Sequence, residues 1–186
     1  GMILASTLRK HLNLFGMNEK QAKKMTNKII QRKYFNKKKL PCPQWLSIKK
    51  NSKINYKLID KLKFPIIIKP SDSAGSRGVN KVANFKNIDI SIINAMKYSK
   101  EKKVIIEEYF DGDEYTVETF SVRSKIYILA ITKKQKVPFT GKTVADYLET
   151  VENNSEIYKK LSKITRDVLF SLNYSDGPAH TEIIFN

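Results

Sequence analysis

The stretch KPSDSAGSRGV, residues 69–79, joins a lysine at the end of an apolar run to a loop built from serine and glycine. Residues 64–69 predict a buried strand entering the loop, and residues 79–82 predict a strand leaving it. Serine hydroxyls and backbone N–H groups beside glycine form a donor surface suited to phosphate oxygens, and the lysine adds positive charge. The sequence therefore predicts either an anion-binding loop or a structural turn between two strands.

This loop differs from the best-known phosphate-binding and RNA-binding loops. No Lys-Ser or Lys-Thr pair follows its last glycine, and no helix is predicted to begin there, so it is not a P-loop. Residues 75–78, GSRG, match the GxxG loop of a KH domain. The KH loop joins two helices, however, whereas this one joins two predicted strands.

The size and composition predict a chain that folds without disulfides. Its 186 residues suit one ordinary domain or two small lobes, and Cys42 is the single cysteine. We expect no membrane segment, because the longest apolar runs have strand length and a spanning helix needs about 20 residues. Basic residues at 9–11 argue against a signal peptide, and Gly1 before Met2 resembles a cloning remnant. The prediction is a cytoplasmic protein.

The formal net charge is +17, from 35 Lys and Arg against 18 Asp and Glu. Clustered cations can bind nucleic acid by releasing counterions from phosphates. Here lysines predominate and are spread along the chain, whereas base-reading proteins rely on arginine and interleaved aromatic residues. The pattern favours a solvated lysine-rich surface over a nucleic-acid-binding face. Acidic residues are concentrated instead between residues 107 and 118, which indicates a need for negative charge or oxygen ligands there.

Hydrophobic periodicity and turn residues predict a mixed α and β chain. The elements expected outside the glycine loop are a helix capped by Asn18 and running to about Phe35, a break at Pro41 and Pro43, a helix over 88–98, a strand over 104–110, a hairpin of 114–122 and 125–132 about Arg123 and Ser124, a loose stretch containing Pro138 and Gly141, a helix capped by Asn154 or Ser155 that stops near Gly177, and a final strand over 181–185.

The order and spacing of several motifs resemble the ATP-grasp superfamily of carboxylate–amine ligases. The motifs are Thr26-Asn27-Lys28, the proline-marked turn at 40–43, IIIKPSDSAGSRGV at 66–79, VIIEEYFDGDEYTVETF at 104–120 and GPAHTEIIF at 177–185. The resemblance covers nearly the whole chain and is greatest to the branch with carbamoyl-phosphate-synthase-like domains and L-amino-acid ligases. It implies an α+β ATP-grasp fold in which two small α+β lobes clasp the nucleotide.

The same resemblance implies a division of the chain and a function. Residues 1–40 would lead into the domain, 41–103 would form the first lobe with the lid loop, and 104–186 would form a second lobe that is truncated at its C-terminus. The function implied is ATP binding in an ATP-dependent carbon–nitrogen ligase that activates a carboxylate as an acyl phosphate, with ATP and Mg²⁺ as cofactors. The carboxylate and amine substrates are not identified. The alternatives are a non-catalytic nucleotide-binding domain and a basic RNA-binding module.

Site residues follow from the resemblance position by position. Lys28 and Lys69 would contact ATP phosphates. The mobile lid over the β- and γ-phosphates would comprise Ser73, Gly75, Ser76, Arg77 and Gly78.

A second set of implied residues would bind the rest of the nucleotide and the metal. The hinge strand would run from Glu107 through Glu108 and Tyr109 to Phe110, with the Glu107 carboxylate accepting the adenine amino hydrogen. Glu114 would hold the ribose hydroxyls. Glu182 would bind Mg²⁺, which prefers oxygen ligands, and His180 would share its strand face.

The chain also departs from the family pattern. Asn27 replaces the usual aspartate before Lys28, which weakens that anchor. The second acidic strand, with the second metal ligand, and the amino-terminal lobe that helps to build the acceptor site are both missing. The resemblance therefore predicts a fragment that is inactive alone, and it assigns no catalytic residue.

Overall fold

A computed structural model describes the backbone of residues 1–139 and 142–186, and the side chains outside residues 136–146. The elements in chain order are α1 (Met2–His11), α2 (Glu19–Thr26), α3 (Lys28–Lys37), β1 (Trp45–Lys49), α4 (Tyr56–Ile59), β2 (Ile66–Pro70), β3 (Asn80–Val82), a 3₁₀ turn (Phe85–Asn87), α5 (Ile88–Lys97), β4 (Lys103–Glu108), β5 (Asp113–Val122), β6 (Lys125–Phe139), β7 (Lys142–Thr150), α6 (Glu156–Ser171) and β8 (Gly177–Phe185).

The chain divides into two compact units. Ala22–Phe110 forms what we call the central unit, and Ile3–Gln21 together with Asp111–Asn186 forms the terminal unit. The lobe boundary predicted at Val104 falls inside β4, whereas the observed division lies between Phe110 and Asp111. The reason is that β4 pairs with β1 and β2 and is therefore part of the central sheet.

The central unit is built on an antiparallel sheet of four strands in the order β1-β4-β2-β3. Along β2 burial alternates, as expected where one face of a strand packs on the core, and Ile66 and Ile68 are fully buried. They share a core with Ile88 and Ile92 of α5. Ile67 of β2 lies opposite Glu107 of β4. Because side chains alternate along a strand, Lys69 and Glu107 project from the face opposite that core.

The terminal unit contains a second antiparallel sheet of four strands, in the order β7-β6-β5-β8. Tyr115 and Val117 of β5, Ile131 of β6 and Leu161 of α6 form its core. The register places Thr116 opposite Glu182. The remaining face of β5 and β8 therefore carries the polar residues that alternate with the core positions.

Several local predictions are confirmed. β2 and β3 form an antiparallel pair on either side of the glycine loop. β5 and β6 form the hairpin, and Arg123 and Ser124 adopt positive φ at its turn. The Ser155 hydroxyl accepts a hydrogen bond from the Tyr158 backbone N–H and caps α6.

Two helix predictions are corrected. The helix expected from Asn18 to Phe35 is two helices, because the Asn27 side chain accepts a hydrogen bond from the Ile30 backbone N–H and starts α3 anew. α6 ends at Ser171 and not near Gly177, since Leu172 is its C-cap and Asn173 turns to φ +56°. Gly177 instead begins β8.

The stretch containing Pro138 is corrected as well, because it is paired in a sheet and not loose. β6 continues to Phe139, and backbone pairing with β7 runs from Thr132–Thr150 to Phe139–Lys142. Gly141, named in the same prediction, lies outside the described residues. Within the part of the chain that the structure describes, no helix is both long and apolar enough to cross a bilayer.

Candidate functional site

A buried carboxylate flanked by two cations marks the central unit. Glu107 is only 3% exposed. Its Oε1 accepts a hydrogen bond from Arg32 Nε at 2.6 Å, and its Oε2 lies 2.6 Å from Lys69 Nζ. Each carboxylate oxygen therefore has its own cationic partner, and both cations are themselves largely shielded from solvent.

Lys28 joins this cluster from the start of α3, one turn before Arg32 on the same helix. The Lys28 backbone N–H donates to the Ser71 carbonyl at 2.8 Å, and its ammonium donates to the Ser73 carbonyl at 2.6 Å. Both contacts tie α3 to the first residues of the glycine loop. The predicted phosphate lysines, Lys28 and Lys69, are thus brought to the same region, which is the end of β2.

The electrostatics of the cluster leave positive charge in excess. Burial, followed by the positive charge of Lys69, lowers the pKa of Lys28. Burial raises the pKa of Glu107, but Lys69 and Arg32 together outweigh it and hold that pKa below its ordinary value. Asp72 is the other nearby carboxylate, and its negative charge acts to raise the pKa of Lys28. Three cations thus face two carboxylates, which favours binding of a further anion.

The glycine loop rises from an anchored base. The Asp72 carboxylate accepts hydrogen bonds from the Ser99 hydroxyl at 2.7 Å and from the Glu101 backbone N–H at 2.9 Å. Beyond this base, Gly75, Ser76 and Gly78 have positive φ, and Arg77 Nε donates to the Ala74 carbonyl at 3.2 Å. Successive residues in this conformation expose backbone N–H groups that can bind an anion.

Gly78 is the position in this loop where a side chain is most restricted, and we expect Gly78→Ala to destabilise the fold. A Cβ there would lie 2.7 Å from Tyr98 Cδ2, 3.1 Å from Pro70 Cγ and 3.2 Å from Tyr98 Cβ. Turning the Tyr98 ring relieves only the first contact. Gly75→Ala is the matched control, since Gly75 has a similar φ of +66° and no atom within 4 Å of the added Cβ.

Urea unfolding of both variants measures how much each substitution lowers the free energy of unfolding. Gly75→Ala should cost about 1 to 2 kcal/mol for the left-handed conformation alone. Gly78→Ala should cost a further 1 to 3 kcal/mol, roughly, for the steric overlap. Equal losses in the two variants would show that the close approach of Gly78 to Tyr98 contributes nothing.

The predicted adenine hinge follows Glu107 directly. The Glu108 carboxylate accepts from the Lys63 backbone N–H, and the Tyr109 backbone N–H donates to the Pro65 carbonyl, both at 2.9 Å. The Lys81 ammonium lies 3.4 Å from the centre of the Tyr109 ring, and Phe110 is 45% exposed. These contacts fix the backbone of the segment, and its part in binding adenine stays a prediction. Glu107 retains acceptor capacity, because a carboxylate offers about four lone-pair positions.

A ladder of charged side chains lies on the terminal unit. Lys134 Nζ contacts Glu114 Oε1 at 2.7 Å and also pairs with Glu182. His180 Nδ1 lies 2.5 Å from Glu118 Oε1, and His180 Nε2 lies 3.8 Å from Glu182 Oε1. Burial lowers the pKa of Lys134, but its bonds to Glu114 and Glu182 have the larger combined effect and raise it. Glu182 and His180 thus share one face of β8.

Glu182 could supply only part of the ligand set of a magnesium ion. The described residues contain no group of three or more His, Cys, Asp or Glu arranged to hold a metal. Mg²⁺ is commonly held by one or two carboxylates together with substrate phosphates, so a single strand glutamate is compatible with it. Lys134 would have to yield its contact with Glu182 for the ion to bind there. The ribose role of Glu114 and the metal role of Glu182 stay predictions.

Two site residues were not predicted from the sequence, namely Arg32 and Lys134. Arg32 lies four residues after Lys28, which places both on one face of α3, and this spacing was the available signal. Lys134 lies opposite Glu114 in the β5–β6 register. The hairpin prediction ended at residue 132, two residues before it.

The comparisons with known proteins agree with this geometry. The model of the ATP-grasp domain family matches residues 62–186. The D-alanine–D-alanine ligase of Marinomonas sp. strain MWYL1 is 32% identical over 92 residues, which are 49% of this chain and 28% of that enzyme.

Solved structures of two ligases are similar in fold. The D-alanine–D-alanine ligase of Bacillus anthracis has a TM-score of 0.82 at 21% identity, over 97% of this chain and 60% of that one. A structure of the Bacillus anthracis ligase with ATP has a TM-score of 0.80 over 98% of this chain and 58% of that one. The L-amino acid ligase of Bacillus licheniformis has a TM-score of 0.76, also at 21% identity, over 99% of this chain and 43% of that one. The chain thus spans less than two thirds of the length of these relatives.

This chain belongs to the ATP-grasp family, as its motifs predict. The mixed α+β architecture with two antiparallel sheets agrees with that fold and confirms the predicted fold class. ATP-grasp ligases such as D-alanine–D-alanine ligase use ATP with Mg²⁺.

Proposed function

We propose that this chain is the Mg-ATP-binding part of a carboxylate–amine ligase, and that the full-length protein activates a carboxylate as an acyl phosphate. The observation that carries the proposal is the excess of half-buried cations around Glu107, beside a glycine loop whose base is anchored through Asp72. A triphosphate supplies the negative charge that this cluster lacks. The names of the related enzymes, D-alanine–D-alanine ligase and L-amino acid ligase, support amino acids as the substrate class.

The proposed assignments within the site follow the family motifs. The phosphates would contact Lys28 and Lys69. Donors of the glycine loop would close over the phosphates, and these donors belong to Ser73, Gly75, Ser76, Arg77 and Gly78. Adenine would contact the segment of Glu107, Glu108, Tyr109 and Phe110. Ribose would contact Glu114, and Glu182 would hold Mg²⁺, which when bound neutralises phosphate charge.

The proposed reaction has two steps, and the chain contributes charge neutralisation to the first. A substrate carboxylate oxygen forms a bond to the γ-phosphorus while the bond from that phosphorus to the β–γ bridging oxygen breaks, which releases ADP and leaves an acyl phosphate. An amine nitrogen then attacks the acyl carbon, inorganic phosphate leaves, and the amine loses a proton. Fixed cations stabilise the developing negative charge on the phosphoryl oxygens and on ADP.

Calorimetric titration of ATP into the protein, with Mg²⁺ present, tests the binding proposal. We expect saturable one-to-one binding that persists at a salt concentration where RNA binding is lost, since nonspecific RNA binding by a +17 protein depends steeply on salt. Absence of saturable ATP binding would contradict the proposal. Binding of RNA that competes with ATP and exceeds it in affinity would favour the RNA-binding alternative.

A preference for adenine over guanine nucleotides is a further expected result. Guanine presents a carbonyl oxygen where adenine presents an amino group, so it would set an acceptor against the Glu107 carboxylate. The mismatch should weaken GTP relative to ATP by about 1 to 3 kcal/mol. Parallel titrations with ATP and GTP measure the difference, and equal affinities would remove Glu107 from the base-recognition site.

A further inference from the structure

Arg32 occupies a distinctive place in the central unit, because it binds a carboxylate that also binds a proposed phosphate ligand. Glu107 Oε1 is taken by Arg32 and Oε2 by Lys69, each at 2.6 Å. The Arg32 guanidinium also lies 5.6 Å from the centre of the Phe35 ring, on the same helix. Arg32 is therefore held between a helix side chain and a strand carboxylate, with its side chain only 19% exposed.

The geometry creates a competition for Lys69. While the ammonium remains 2.6 Å from Glu107, that carboxylate takes one of its three N–H donors and neutralises part of its charge. If Lys69 turns toward a phosphate, one oxygen of a carboxylate that is 3% exposed loses its partner. A buried carboxylate without a cationic partner is strongly disfavoured. A second cation that remains bound to the Glu107 carboxylate makes the movement of Lys69 possible.

We infer that Arg32 is a positioning residue for the phosphate site, which holds the Glu107 carboxylate and so releases Lys69 to bind the nucleotide. The inference rests on the proposed ATP binding. A guanidinium suits this role because it stays protonated and can donate from several N–H groups at once. Arg32 has no need to touch the nucleotide, since it acts through Glu107.

A purely structural salt bridge predicts a different pattern from a positioning role. If Arg32 only stabilised the fold, its loss would lower stability and leave the ATP affinity of the folded protein unchanged. If Arg32 releases Lys69, its loss leaves Lys69 as the sole partner of Glu107 and weakens ATP binding. Removing the charge of Glu107 should then cancel this effect, because Lys69 no longer has a competing carboxylate.

The test is a double-mutant cycle in ATP affinity, measured by calorimetry on the 186-residue protein. The variants are Arg32→Gln, Glu107→Gln, the double variant and Arg32→Lys. Lys23→Gln is the matched control, since Lys23 forms an ion pair with Glu101 at 3.3 Å in the same unit. Urea unfolding of each variant identifies those that are folded at the temperature of the titration.

We expect Arg32→Gln to weaken ATP binding by about tenfold, the size of a typical coupling between residues in one charge network. Arg32→Lys should lose less, and Lys23→Gln should bind like the wild type. In the Glu107→Gln background the further change Arg32→Gln should alter affinity by less than about threefold. If Arg32→Gln does not fold, Arg32→Lys takes its place, and the cycle is completed by Glu107→Gln and the double variant Arg32→Lys/Glu107→Gln.

Three results would overturn the inference. The first is an ATP affinity equal to that of the wild type in folded Arg32→Gln. If Arg32→Gln is unfolded, the equivalent result is an unchanged ATP affinity in Arg32→Lys. The second is an equal loss with and without Glu107, which would mean that Arg32 acts independently of that carboxylate. The third is a wild-type protein that does not bind ATP, which would also overturn the proposed function. The first two leave the proposed function intact, so the two failures are distinguishable.

Discussion

ATP affinity should fall by about 1.5 to 3 kcal/mol in the Lys69→Ala variant, which is roughly a tenfold to hundredfold or greater loss. The ammonium lies at the end of β2 in a partly buried position, where a charge-assisted hydrogen bond to phosphate is strong. The substitution also removes one of the three cations that face Glu107 and Asp72. Isothermal titration calorimetry with ATP and Mg²⁺ measures the change directly.

Lys103→Ala is the control for this prediction. Lys103 forms a partly exposed ion pair with Glu101 at 3.2 Å, so its substitution removes the same charge from the same unit. Its ATP affinity should stay close to that of the wild type. If Lys69→Ala and the wild type bind ATP equally, Lys69 has no phosphate role and the proposed site loses its main cation.

The second large effect concerns turnover. We expect the 186-residue chain to release no ADP in a substrate-dependent manner when it is supplied with ATP, Mg²⁺ and a panel of amino acids. In the described residues Glu182 has no neighbouring pair of carboxylate, His or Cys ligands with which to fix a metal. The loss of a metal ligand affects chemistry more than binding, because the lysines that contact the phosphates remain.

The comparison is with a longer chain that is extended before Met2 and after Asn186. That longer chain should release ADP when the correct amino acids are present. A coupled assay that follows ADP with and without each amino acid measures both proteins under the same conditions. Substantial amino-acid-dependent ADP release by the 186-residue chain would show that its metal site is already complete.

Local patterns predicted much of the fold. The β2–loop–β3 pair and the β5–β6 hairpin depend on residues close together in the chain, where turn chemistry and alternation carry the information. The break at Asn27 was missed because the apolar positions on either side continue one helical period. The pairing of β6 with β7 was missed because Pro138 and Gly141 favour a loop when they are considered without a partner strand.

The site was predicted less completely, for a similar reason. Lys28, Lys69 and Glu107 could be placed from motifs. The bond between Arg32 and Glu107, however, joins residues 75 positions apart, and no local pattern encodes it. Lys134 likewise acquires its role only when β5, β6 and β8 are adjacent. The sequence therefore indicated the residue types of the site, and tertiary pairing determined which carboxylate each cation contacts.

Hydrogen exchange at the glycine loop tests the central claim most directly. The loop between Ser71 and Gly78 connects the anchored base of the site to β3 and contains the proposed phosphate donors. Backbone amides of this loop should exchange more slowly as ATP is added with Mg²⁺, the protection should saturate with ATP concentration, and it should be reduced in Lys69→Ala. Loop exchange that is unchanged at high ATP, or that is slowed by RNA and not by ATP, would contradict the account.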